Sequence, residues 1–132
     1  MISLEKPLAE FHSLNKCFFP YGTNFELPEN TLLSFSDIKP GDTTLILCQG
    51  EIAISRTNND ILLGIAQAPF IDGLSAGIIE RPVEYIYTTQ SICSGYYLSS
   101  HQVMALLDEN QLWREACSWL TWWYRLAETR DN

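Results

Sequence analysis

The sequence predicts an α+β fold: antiparallel strands closed into a sandwich or barrel, with helices at both ends. The middle of the chain breaks into brief runs rich in β-branched and aromatic residues, separated by turn chemistry such as "LPEN", "KPGD", "CQG" and "TNND". Both ends instead carry apolar residues at helical spacing. A chain of 132 residues with 46% hydrophobic and 18% charged residues is sized and composed for one packed domain.

At the N-terminus, Leu4, Leu8, Phe11 and Leu14 fall on one stripe of "SLEKPLAEFHSLN", which predicts a helix over 3–15 with Pro7 in its first turns. Strands are predicted at 31–35, 43–49, 51–56, 61–67, 84–90 and 93–99, within a set of about eight. Asn and Asp in "RTNND" mark a hairpin turn, because both tolerate the left-handed conformation. Ser99 followed by Gln102 is the start signal of a short helix with Val103, Leu106 and Leu107 inward. A longer helix is predicted over 111–129. On it Trp113, Ala116, Leu120, Trp123 and Ala127 alternate at spacings of three and four, a seam suited to a second helix. Leu112, Trp119, Trp122 and Leu126 draw a second apolar line. A helix with two lines can pack on its own domain and on a partner, so this one is read as a homodimer interface. The chain thus divides into a strand-rich unit over 1–110 and a dimerisation helix over 111–132.

Charge and residue inventory exclude several roles. A net charge of -8, with 16 acidic against 8 basic residues, is unsuited to direct contact with nucleic-acid phosphates or an anionic membrane surface. Cys17, Cys48, Cys93 and Cys117 are too widely spaced for a zinc or iron–sulfur motif. Their surroundings suggest reduced, mostly buried thiols, and the opening "MISLEKPLAE" lacks signal-peptide character, so a cytoplasmic location is expected. The two histidines, His12 and His101, form no clustered metal or catalytic set, and "GLSAG" lacks the parallel-sheet setting of a nucleophile elbow. No enzymatic activity, no metal and no cofactor are expected.

Four stretches in order carry a resemblance. "KPGD" with Gly41, "ILCQGEIAI" with Gly50 at its turn, "APFIDGL", and "SICSGYYLSSHQVMALL" resemble the glycine-punctuated roll, the loop opening and the final strand and helix of cyclic-nucleotide-binding domains. The order is similar to the sensor half of Crp/Fnr transcription regulators. "LLGIAQAPFIDGLSAG", "GYYLSS" and "ENQLWREA" further resemble the IprA/YaiV-type winged helix-turn-helix branch. The resemblance implies an antiparallel β-roll and a homodimeric regulator whose DNA-binding domain lies beyond these residues.

The resemblance also implies where a ligand would bind, and the residues there are wrong for a phosphate. The family holds the ribose hydroxyl with a glutamate after the loop glycine and the cyclic phosphate with an arginine and a neighbouring serine or threonine. Here Asp72 and Gly73 stand at the first place, and Val83 and Glu84 near the second. A glutamate about 4 Å from a phosphate would cost on the order of 4 kcal/mol at an effective dielectric near 20. Cyclic nucleotide is therefore not the expected ligand. Any effector is expected to be neutral, apolar or cationic, in a pocket lined by Phe70, Leu74, Ile78, Tyr85 and Tyr87, beside Gly73 and Ser75, with Asp72 and Glu84 at its mouth. The alternative is a stand-alone β-roll that binds a small non-phosphorylated ligand or a protein.

Overall fold

A computed structural model describes residues 5–33, 42–56, 62–74 and 85–130, with backbone alone for 56, 63, 85 and 127–130. The chain runs α1 (Leu8–Phe18), a short 3-10 turn, β1 (Thr23–Leu27), β2 (Thr43–Gln49), β3 (Glu51–Arg56), β4 (Leu62–Gln67), β5 (Phe70–Asp72), β6 (Tyr85–Thr89), β7 (Cys93–Ser99), α2 (Ser100–Glu109) and α3 (Trp113–Arg130). One sheet has the order β1-β7-β2-β5 and the other β4-β3-β6. The pairings within both are antiparallel.

β2 explains the layering. Thr44, Leu45, Ile46 and Leu47 are consecutive and all buried, so this strand is covered on both faces. One cover is the second sheet, whose Ile52 and Ile54 join the same core. The other is helical: α2 packs on β2 and β7, and α1 lies along α3. Gly50 turns the chain from one sheet into the other at φ +99°, where an added Cβ would lie 2.5 Å from the Ile92 carbonyl oxygen. Only glycine suits that combination of positive φ and close approach.

α1 begins later than its stripe suggested. Pro7 is the residue before the helix, and the first backbone bond runs from the Phe11 N–H to the Pro7 carbonyl at 3.0 Å. Proline has no N–H to offer a preceding turn. The buried face is Phe11, Leu14 and Phe18, while Leu8 is exposed. α2 starts as expected: the Ser99 hydroxyl accepts the Gln102 N–H at 3.1 Å, and Val103, Leu106 and Leu107 are buried.

Seven strands are present among the described residues, and two of them differ from expectation. β1 pairs with β7 through "TNFEL", whose polar residues and short length hid it in a turn-rich stretch. β5 is only three residues long, in a stretch whose sequence resembles a loop opening. Of the predicted strand at 31–35, Leu32 makes a single isolated bridge to Thr88, and residues 34–35 lie outside the described ones. The "TNND" and "KPGD" turns fall outside them in all or most of their length.

Candidate functional site

β5 delivers Asp72 to the interior, where sequence reasoning had placed it at a pocket mouth. Asp72 pairs with Leu45 of β2 in register and is 5% exposed. The chain then turns at Gly73, φ +96°, whose Cβ position would lie 2.3 Å from the Thr43 carbonyl oxygen. That backbone contact, rather than a ligand, accounts for this glycine. Tyr87 of β6 donates its hydroxyl proton to Asp72 Oδ2, and the Gly73 N–H donates to the same carboxylate. Since β5 and β6 belong to different sheets, the Asp72–Tyr87 bond ties the two sheets together. It does so where both strands adjoin the segment 75–84, which lies outside the described residues.

Burial dominates the electrostatics. It pushes the Asp72 carboxyl above the ordinary aspartate value of 3.8, while the bonds from Tyr87 and Gly73 act against the shift. Phe70 and Leu74 are also buried, so both serve the core. Phe70 meets Trp119 at 5.9 Å and Trp123 at 4.9 Å between ring centroids, both edge-on. The structure thus brings Phe70, Asp72, Gly73, Leu74 and Tyr87 together. Ser75, Ile78, Val83 and Glu84 lie outside the described residues, as does the Tyr85 side chain.

The long helix is rotated relative to the predicted seam. Ala116 is 0% and Trp119 1% exposed, both facing their own domain. The Trp119 indole N–H donates to the Ile71 carbonyl oxygen at 2.8 Å, fixing α3 onto β5. Leu120 and Trp123 are partly buried against the same core. Of the predicted seam, Trp113 alone is on the open side, 37% exposed, and the Ala127 side chain is outside the described set. The outward face instead carries Trp113, Cys117, Thr121 and Tyr124, spaced by four, four and three. Both apolar lines turn inward: Trp123 of the first meets Phe70, and Trp119 of the second bonds Ile71.

Cysteine burial also differs from expectation: Cys93 is buried, Cys48 and Cys117 are exposed, and all four are free thiols. No group of metal-ligating side chains occurs among the described residues, and none of their helices is long and apolar enough to cross a membrane. Sequence reasoning missed a groove beside α3 that joins Lys6, Glu51 and Gln67 to Trp122 and Trp123. Its residues come from four separate segments, and Lys6 carried no motif.

These features define a class first. The fold is that of cyclic-nucleotide-binding domains. The chain superposes on the Thermus thermophilus catabolite activator protein with a TM-score of 0.69 at 14% identity, over 92% of this chain and 60% of that one. It matches the c-di-GMP responsive global regulator CLP of Xanthomonas campestris with a TM-score of 0.68 at 19% identity, over 90% and 61%. At these identities the likeness concerns the fold alone. No protein-family model matches the chain. The particular likeness is to a curated protein, the inhibitor of hydrogen peroxide resistance of Escherichia coli K12, 40% identical over 131 residues. The match takes in 99% of this chain and 63% of that protein, so the chain spans somewhat under two thirds of its relative's length.

Proposed function

We propose that this chain is the sensory and dimerisation domain of a bacterial transcription regulator of the Crp/Fnr type, in the IprA/YaiV-type branch, and that it does not bind cyclic nucleotide. The role is non-enzymatic and cytoplasmic. DNA is contacted through a winged helix-turn-helix segment outside these 132 residues. The greater length of the Escherichia coli relative leaves room for such a segment in a longer protein. That relative's name supplies the cellular readout to expect, a lowered resistance to hydrogen peroxide.

The observation that carries this reading is Asp72: within a roll of this fold, an internal carboxylate is buried and bonded to Tyr87. An incoming phosphate would have to displace that bonded pair or bury its own charge beside an acid in a medium of low dielectric. The acidic balance supports leaving DNA contact to another part of the protein.

Dimerisation is assigned to the outward face of α3, through Trp113, Cys117, Thr121 and Tyr124. Trp113 and Tyr124 are exposed aromatics, 37% and 51%, the residue type that anchors interfaces. Light scattering at tens of micromolar tests this. A dimer is expected, and Thr121→Glu with Tyr124→Glu should give a folded monomer, because neither side chain enters the core. A monomeric unmodified chain would remove the dimerisation reading.

A further inference from the structure

A cavity of about 460 Å³ opens between α3 and the β3–β4 pair, on the side of the helix away from its exposed aromatics. That volume suits a small organic ligand, for which sites run from roughly 300 to 1,000 Å³. Its wall is aromatic: Phe70, Trp122 and Trp123 line it, with Trp123 edge-on to Phe70 at 4.9 Å and Trp122 tilted against Trp123 at 6.0 Å.

The rim is polar and carries both signs of charge. Lys6 donates through Nζ to the Gln67 carbonyl oxygen at 2.7 Å and stands 5.9 Å from the centre of the Trp122 ring. An ammonium has three donors; among the described residues, the other two on Lys6 have no protein acceptor. Burial lowers the Lys6 pKa, as expected of a cation that lacks a compensating anion. On the other side of Gln67, the side-chain N–H donates to Glu51 Oε1 at 3.0 Å. Glu51 Oε2 accepts from no described residue. Gln67 thus holds an ammonium and a carboxylate apart, one through its backbone and one through its side chain, and no ion pair joins them among the described residues.

We propose that this groove binds a free α-amino acid with an apolar or aromatic side chain, its carboxylate on Lys6, its ammonium on Glu51 and its side chain against Trp122 and Trp123. Charge complementarity selects this class. A simple anion would gain Lys6 and meet Glu51; a simple cation would do the reverse. An uncharged hydrocarbon would satisfy the wall and desolvate both rim charges without replacing their water, which is costly. A zwitterion with an apolar substituent answers all three features together. The site is separate from Asp72, and the inference does not rest on the regulator reading.

Intrinsic tryptophan fluorescence and calorimetry with L-phenylalanine and L-leucine test it directly. Saturable binding in the millimolar range or tighter is expected. Two analogues that each keep one charge, 3-phenylpropanoate and phenethylamine, should bind at least about tenfold more weakly than L-phenylalanine, since each leaves one rim charge unpaired. Lys6→Met and Glu51→Gln, both outside the core, should each weaken L-phenylalanine binding by a similar factor without changing the thermal unfolding midpoint. Absence of saturable binding by both amino acids at about 10 mM would overturn the proposal. So would equal affinity for the three phenyl compounds, or full affinity in folded Lys6 and Glu51 variants. None of these results bears on cyclic nucleotide or on the dimer.

Discussion

Replacing Tyr87 by Phe removes the hydroxyl that donates to Asp72 and leaves the buried carboxylate with the Gly73 N–H. A hydrogen bond to a charged group contributes about 1.5–3 kcal/mol, and one to a neutral group about 0.5–1.5 kcal/mol. The loss should therefore be about 1–2 kcal/mol greater at neutral pH, where more of Asp72 is ionised, than in acid. Asp72→Asn gives the complementary measurement, because it removes the titrating group. Since burial raises the folded pKa above 3.8, the folded state holds the proton more tightly than the unfolded one. The stability that Asp72 contributes is fully present below the unfolded value and is lost as pH rises through the folded one. Between the two, the slope is about 1.4 kcal/mol per pH unit. Urea unfolding followed by tryptophan fluorescence from about pH 3 to 8 reads both effects. The stability of the natural chain minus that of Asp72→Asn should fall as pH rises. A difference that stays flat, or rises, would refute the burial argument and the closed interior that depends on it.

Two further substitutions test the supports of the site. Trp119→Phe deletes the donor to the Ile71 carbonyl and part of a ring that is 1% exposed, so it should cost about 2–4 kcal/mol in urea unfolding; a loss under about 0.5 kcal/mol would mean that α3 is not anchored there. Ser99→Ala removes the acceptor for the Gln102 N–H and should lower stability by about 0.5–2 kcal/mol. Hydrogen exchange should show that loss concentrated at the start of α2, and uniform loss would contradict the capping role.

Legibility followed the range of the interactions. β2, β3 and β7 announced themselves, because runs such as "TTLILCQ" and "EIAISR" combine β-branched residues with a glycine between them, and the turn at Gly50 is a local necessity. The Ser99 cap was visible for the same reason: donor and acceptor are three residues apart. β5 was not, because three residues carry no period and its strand character comes from pairing with β2. The burial of Asp72 was equally hidden, since its partner Tyr87 reaches it from the other sheet. The rotation of α3 was hidden too, because Phe70 and Ile71 draw in Trp123 from one apolar line and Trp119 from the other. The groove at Lys6 exists only once the N-terminal segment, β3, β4 and α3 have met.

The central claim is that this roll keeps the architecture of a cyclic-nucleotide domain with its own carboxylate, Asp72, buried inside and bonded to Tyr87. Calorimetric titration with cyclic AMP and with cyclic GMP tests it most directly. The account predicts no binding heat for either nucleotide up to millimolar concentration; a micromolar dissociation constant for either one would contradict it.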